Sequence, residues 1–158
     1  MKTFTIKGAV LAAMLATGTM AAQAADKLKV LIIDGQNNHK WAITTPVIKA
    51  SLEASGVFAV DVSTSPPEKK KVKPEEVAGL AAQWEAWRPK FSDYAAVISN
   101  YNGERWPAEV ETAFTAYVKN GGGFVSYHAA NNSFADWPEY NLMIGLGGWG
   151  GRNEKSGP

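Results

Sequence analysis

The chain alternates short apolar runs with segments of helical periodicity. The runs lie at residues 29–34, 57–62, 94–99 and 124–127, and the first reads Lys-Val-Leu-Ile-Ile-Asp. A nearly continuous β-branched and apolar run is typical of a strand that is buried on both faces of a parallel sheet. Helical spacing with proline near the start predicts helices over residues 45–55, 74–87 and 107–119. The alternation therefore predicts an α/β fold, with a mostly parallel sheet covered by helices on both faces.

The N-terminus has the three parts of an export signal. Two lysines precede an apolar stretch at residues 9–16, and Ala-Gln-Ala follows at 22–24. The alternative is a membrane anchor, but the apolar stretch is shorter than the ~20 residues that a span needs. We therefore expect a cleaved signal peptide over residues 1–24, one domain over residues 25–158, a periplasmic or secreted location, and no membrane association after cleavage.

Composition and charge exclude several kinds of function. The formal net charge is +1, and removal of the two signal lysines leaves about −1, so nucleic acid is not an expected partner. The chain has no cysteine, which excludes thiol nucleophiles, disulfides and cysteine-ligated zinc. The glycine-rich stretches do not follow a strand and open a helix as a phosphate-binding loop does, so we expect no nucleotide cofactor.

Amide, imidazole and indole side chains follow the predicted strands. In open parallel sheets, ligands bind outside the carboxyl ends of the strands. Amides donate and accept hydrogen bonds to sugar hydroxyls, an indole face covers the apolar face of a pyranose, and imidazole serves as acid, base or metal ligand. The residues at these positions are Asn37, Asn38, His39, Trp41, Asn100, Asn102, His128, Asn131 and Asn132.

Each of these residues also has a structural interpretation. A histidine can be a satisfied structural residue, and asparagine is common in plain turns. Trp84 and Trp87 lie in a predicted helix and are expected to be packing residues, whereas Trp137 and Trp149 lie in predicted loops and remain candidates for stacking on a sugar. The lysine cluster at residues 69–73 is flanked by glutamates and favours a solvated connection over a binding patch.

Two stretches resemble the ThuA-like (trehalose utilisation) family of the class I glutamine amidotransferase-like superfamily. The first is Gly-Gln-Asn-Asn-His-Lys-Trp at residues 35–41, and the second, more specific stretch is Gly-Gly-Gly-Phe-Val-Ser-Tyr-His-Ala-Ala-Asn-Asn at 121–132. The second continues through Asp-Trp-Pro-Glu-Tyr at 136–140 to a glycine-rich segment that ends at Arg152.

The resemblance implies a three-layer, flavodoxin-like sandwich. It places His128 at the sharp strand-to-helix turn that carries the nucleophilic cysteine in true amidotransferases, so glutamine hydrolysis is not expected. The implied substrate is a disaccharide or keto-sugar derivative, with His128 and His39 as catalytic residues or as ligands of a divalent metal, zinc being the expected ion. From the strand ends and the resemblance together, the expected substrate-binding residues are Asn37, Asn38, Trp41, Asn100, Asn102, Asn131, Asn132, Asp136, Trp137 and Arg152.

The chain departs from the family pattern at two places. Members commonly have an acidic residue where this chain has Lys40, and the family domain continues past Arg152. We therefore expect a C-terminally incomplete domain. Three hypotheses remain open: an exported carbohydrate-processing enzyme, a non-catalytic sugar-binding or interaction module, and an inactive fragment of the domain. The sequence makes no prediction of oligomeric state.

Overall fold

The protein forms a four-stranded, all-parallel sheet between two helical layers, as described by a computed structural model for residues 26–145. The spatial order is β2-β1-β3-β4, which is the order of the first four strands in flavodoxin-like folds. The predicted α/β class and the parallel sheet are confirmed. The strands are β1 (Leu28–Asp34), β2 (Phe58–Thr64), β3 (Ala96–Ser99) and β4 (Gly123–Ser126).

Helices follow every strand. They are α1 (Trp41–Ala54), α2 (Val77–Ala86), α3 (Ala108–Lys119) and α4 (Pro138–Met143). Short 3₁₀ turns cover Lys69–Lys71, Pro74–Glu76, Phe91–Asp93 and His128–Asn132.

The first helix begins four residues earlier than the sequence predicts. Pro46 suggested a first turn, but it lies one turn further along, inside α1. The backbone amides of Ile43 and Thr44 already bond to the carbonyl of Lys40, so the helix has begun before Pro46. Because proline has no amide hydrogen, α1 lacks one helical hydrogen bond, the one to the carbonyl of residue 42. Because α1 begins at Trp41, its first turn follows the loop that carries His39 without an intervening segment.

The two faces of the sheet bury different cores. Because side chains alternate along a strand, Leu31 and Ile33 of β1 join one cluster while Val30 and Ile32 join the other. The smaller, aliphatic cluster packs against α1. The larger cluster packs against α3, α4 and the end of α2, and its aromatic members are Trp87, Phe91, Tyr101, Trp106, Phe114, Tyr117, Phe134, Trp137 and Tyr140. Trp87 is thus a packing residue, as predicted.

Some predictions concern segments outside the described residues. The export signal at 1–24 and the glycine-rich stretch that contains Trp149 and Arg152 lie there. Between residues 26 and 145, no helix is long and apolar enough to cross a membrane.

Candidate functional site

The candidate site lies at the carboxyl edge of the sheet. β1 is flanked by β2 on one side and β3 on the other, so the connections that leave β1 and β3 run to opposite faces of the sheet. A crevice forms at such a switch point. Residues 35–40 after β1 and 100–107 after β3 border it, and residues 127–132 after β4 lie next to them.

Gln36 holds the loops of this edge together. Its side chain is 1% exposed. Its Nε2 donates to the carbonyl of Pro66 at 2.8 Å, and its Oε1 accepts from the backbone amide of Glu104 at 2.7 Å. Gly103 packs so closely on Gln36 that a Cβ there would clash with the amide. The loops after β1, β2 and β3 are therefore joined through one buried side chain.

Asn37 and Asn100 form a buried pair beneath the edge. The Nδ2 of Asn37 lies 3.2 Å from the carbonyl and 3.3 Å from the Oδ1 of Asn100, and its own Oδ1 accepts from the backbone amide of His39 at 2.9 Å. Asn100 also donates to the hydroxyls of Thr44 and Thr45 on α1, each at 3.0 Å. Both amides are bonded to the protein, and neither residue lines the cavity around the histidines, so the pair positions the His39 loop.

His128 follows β4 in a strained backbone conformation. Its φ is +50°, in the left-handed region that non-glycine residues rarely adopt and that clusters at functional sites. The turn His128–Asn132 is supported from below by Tyr140, whose hydroxyl donates to the carbonyl of Ala130 at 2.9 Å. Burial raises the pKa of Tyr140 to about 12, which keeps this donor protonated across the physiological range.

The two imidazoles of the chain meet at this edge. The Nε2 of His39 and the Nε2 of His128 are 3.0 Å apart, and the ring centroids are 4.5 Å apart. Both residues are exposed, so neither is a structural histidine in the core. Two ring nitrogens at this distance form a hydrogen bond only if one donates and the other accepts. The pair therefore places one N–H between two imidazoles, and imidazole can act as a general acid or as a general base.

Amide side chains complete a cavity around the histidines. The Nδ2 of Asn102 donates to the Oδ1 of Asn38 at 3.0 Å, and the Nδ2 of Asn38 lies 3.4 Å from the Nε2 of His39. The cavity has a volume of about 590 Å³, which is within the usual range of small-molecule sites. Its lining consists of Asn38, His39, Asn102, His128, Ala129, Asn131 and Asn132.

The structure does not bring all the sequence candidates to this cavity. Trp41 is half-buried at the start of α1 and does not line it. Trp137, which the sequence suggested as a loop residue for stacking on a sugar, is 3% exposed in the aromatic core, because its large apolar ring packs against α3 and α4. Asp136 is exposed and pairs instead with Arg105, at 2.8 Å.

The histidine pair offers two nitrogen donors to a metal. Imidazole suits zinc and other transition metals, and two nitrogens 3.0 Å apart can occupy neighbouring positions at about 2.0–2.1 Å from one ion. A catalytic zinc site normally has three protein ligands. Within residues 26–145, no group of three His, Asp or Glu side chains could hold a metal ion. The described residues thus supply only part of such a site.

Sequence reasoning missed three residues of the edge. Gln36 stands in the sequence only as a member of the Gly-Gln-Asn-Asn-His motif, because its burial depends on contacts with Pro66 and Glu104 in distant loops. Ser126 donates to the Oδ1 of Asn131 at 2.5 Å and orients that amide. Glu68, which sits in the segment predicted to be a solvated connection, is 7% exposed.

Together, the strand order and the polar edge define a flavodoxin-like α/β domain whose two histidines meet at the carboxyl edge of the sheet. The family model for trehalose utilisation, ThuA, matches residues 29–156. The chain belongs to the ThuA family.

A solved structure supports this assignment. The crystal structure of a protein from Parabacteroides merdae, described as ThuA-like, is 44% identical and superposes with a TM-score of 0.71. The match covers 84% of this chain and 43% of that one, so the chain spans less than half the length of the protein it resembles. No curated protein matches significantly.

Proposed function

We propose that the protein processes a carbohydrate, a disaccharide or a keto-sugar derivative, in the cavity around His39 and His128. The observation that carries the proposal is the meeting of the two imidazoles at 3.0 Å in a cavity otherwise lined mainly by amides. Amide side chains both donate to and accept from hydroxyl groups, and membership of the trehalose utilisation family favours a sugar.

The chemistry that suits this pair is proton transfer beside a carbonyl. One Nε2 takes a proton from the carbon next to a keto group, and the C–H electron pair forms the double bond of an enediol. The Nε2–H of the other ring donates its proton to the carbonyl oxygen. Return of the proton to the former carbonyl carbon, with transfer of the hydroxyl proton on the adjacent carbon to the ring that had acted as acid, would isomerise the sugar. A positioned general acid and base contribute typically 10²–10⁴-fold each to such a step.

A divalent metal, with zinc as the expected ion, would be held by the Nε2 atoms of His39 and His128. Such an ion would supply Lewis-acid polarisation of the keto group. With a metal bound, these two Nε2 atoms would serve as its ligands and no longer as acid and base, whereas the asparagines keep the same tasks with or without the ion. Asn38, Asn102 and Asn131 orient hydroxyl groups, while the buried pair of Asn37 and Asn100 fixes the loop that carries His39.

The test is hydrogen exchange at the carbon beside the keto group. A keto-disaccharide incubated in D₂O with the protein should gain deuterium at that carbon, followed by NMR. His128→Ala should slow this exchange by about 10²–10⁴-fold, and His39→Ala should act in the same direction. Gln83→Ala, an exposed substitution on α2, is the control. Unchanged exchange in His128→Ala would contradict the enzymatic proposal.

The second candidate function is a non-catalytic sugar-binding module. Two observations favour it: Lys40 is exposed beside His39, where family members commonly have an acidic residue, and residues 26–145 offer no third metal ligand. The variant Lys40→Asp separates the candidates. Sugar binding without exchange in the wild type, and exchange that appears in Lys40→Asp, would support the binding module.

Export remains part of the proposal. The support is the sequence of residues 1–24, with its lysines, apolar stretch and Ala-Gln-Ala. N-terminal sequencing of protein recovered from the periplasm or medium of a bacterial host should begin at Ala25. Recovery of only cytosolic, unprocessed chain would contradict it.

A further inference from the structure

A second cavity adjoins the one that contains the histidines. It has a volume of about 410 Å³, and Asn38 and Asn102 line both cavities. These two side chains are hydrogen-bonded to each other at 3.0 Å, so one amide pair forms a shared wall. The other residues of the second cavity are Asn37, Glu68, Lys70, Lys71, Gly103 and Glu104.

Glu68 organises the charged part of this cavity. Its carboxylate is almost enclosed, and its two oxygens are each paired with one ammonium group, Lys70 at 2.8 Å and Lys71 at 2.5 Å. Burial alone would raise the pKa of Glu68, but the hydrogen bonds from the two lysines outweigh it and hold the pKa below its ordinary value. The two ammonium groups thus pair at the cavity with an ionised, almost enclosed carboxylate, while the lysine side chains themselves stay 79% and 54% exposed.

The charges of the second cavity cancel. Lys70 and Lys71 contribute two positive charges, and Glu68 and Glu104 contribute two negative ones. An ammonium group has three N–H donors, so each lysine keeps donors beyond the one that Glu68 accepts. A site rich in donors and acceptors but without net charge suits a neutral, hydroxyl-bearing ring. A phosphate would need surplus positive charge.

We infer that the second cavity is a sugar subsite, which binds the neutral second ring of a disaccharide while the first ring lies against His39 and His128. This inference rests on the proposed function and adds the size and charge of its substrate. Asn38 and Asn102 stand where the two rings join and would contact both. The lysine cluster, expected from the sequence to be a solvated connection, thereby becomes part of the binding surface.

Calorimetric titration with trehalose, glucose and trehalose 6-phosphate tests the subsite. The wild type should bind trehalose at least tenfold more tightly than glucose, and the phosphate should give no further gain. The triple variant Glu68→Gln, Lys70→Ala, Lys71→Ala removes both cations and the carboxylate that pairs with them, so no buried charge is left unpaired. It should bind trehalose about as weakly as glucose and keep its glucose affinity.

Lys69→Ala is the matched control, because Lys69 does not line this cavity and its contact with Glu104 uses the backbone amide. Equal affinity of the wild type for trehalose and glucose would overturn the subsite but leave the proposed function standing. Tighter binding of trehalose 6-phosphate than of trehalose would overturn the inference that the second subsite binds a neutral ring. Loss of glucose binding in the triple variant would overturn the separation into two subsites, and absence of all sugar binding would overturn both proposals.

Discussion

Asn37 and Asn38 are neighbours in the chain but belong to different regions of the molecule. Asn37 is 6% exposed and has its amide bonded to Asn100, whereas Asn38 is exposed and lines both cavities. The first belongs, with Gln36, to the buried side chains whose separate hydrogen bonds fix the loops, called the buried network below. The second belongs to the exposed rim with His39 and His128. The contrast shows that identical side chains in one motif can position a site or form its surface.

The two regions should respond differently to substitution. A buried polar group that loses its partner costs free energy of unfolding, because water cannot replace the lost hydrogen bond. An exposed group is rehydrated when its partner is removed, so its loss affects stability little but removes a contact with ligand. The predictions below test this separation.

The largest effect on stability is expected at the centre of the buried network. Gln36→Ala removes a donor to Pro66 and the acceptor for Glu104; the backbone amide of Glu104 loses its partner, whereas the carbonyl of Pro66 keeps the hydroxyl of Ser65. We expect the free energy of unfolding to fall by about 2–4 kcal/mol, measured by urea denaturation. Gln83→Ala on α2 is the matched control and should change it by less than about 0.5 kcal/mol. Equal effects of the two substitutions would show that the network does not hold the loops.

The neighbouring asparagines give the most direct contrast. Asn37→Ala should lower the free energy of unfolding by about 1–3 kcal/mol, since it leaves the amide of His39 and the oxygens of Asn100 without their partner. Asn38→Ala should change stability by less than about 0.5 kcal/mol but weaken sugar binding about 3–10-fold. Denaturation and calorimetry on both variants provide the measurement. A larger loss of stability in Asn38→Ala than in Asn37→Ala would contradict the division between the buried network and the exposed rim.

His128 combines an exposed side chain with backbone strain. Because its φ is +50°, His128→Gly should be more stable than His128→Ala by about 1 kcal/mol, although both should lose exchange activity. His39 does not have a positive φ, so there the glycine variant should be the less stable one. If the alanine variant were the more stable one at both positions, the backbone at His128 would not be strained.

The smallest effect is a pH dependence at Glu68. Its pKa is lowered in the folded state by its lysine partners despite burial, so the stabilisation is complete above the ordinary value of 4.5 and is lost as the pH falls through the lowered pKa. The difference in free energy of unfolding between the wild type and Glu68→Gln should therefore become smaller as the pH is lowered from about 7 to about 3, as measured by urea denaturation. A difference that stays constant would show that the ion pairs do not contribute.

The sequence predicted the sheet and its polar edge because both depend on local patterns. The β-branched runs identify the strands, and the residues that follow them reach one edge in any parallel sheet. Burial within the edge depends on contacts between distant loops, such as those of Gln36 with Pro66 and Glu104. No local pattern distinguishes Asn37 from Asn38, or reveals that Trp137 turns inward to the aromatic core.

The account requires His39 and His128 to act as one site. The chain contains only two histidines, so a long-range ¹H–¹⁵N NMR spectrum of the imidazoles has two spin systems and reports on that site alone. Titration with a keto-disaccharide should shift the signals of both rings together, at the same sugar concentration. Shifts of neither ring, or of one ring without the other, would contradict a shared histidine site.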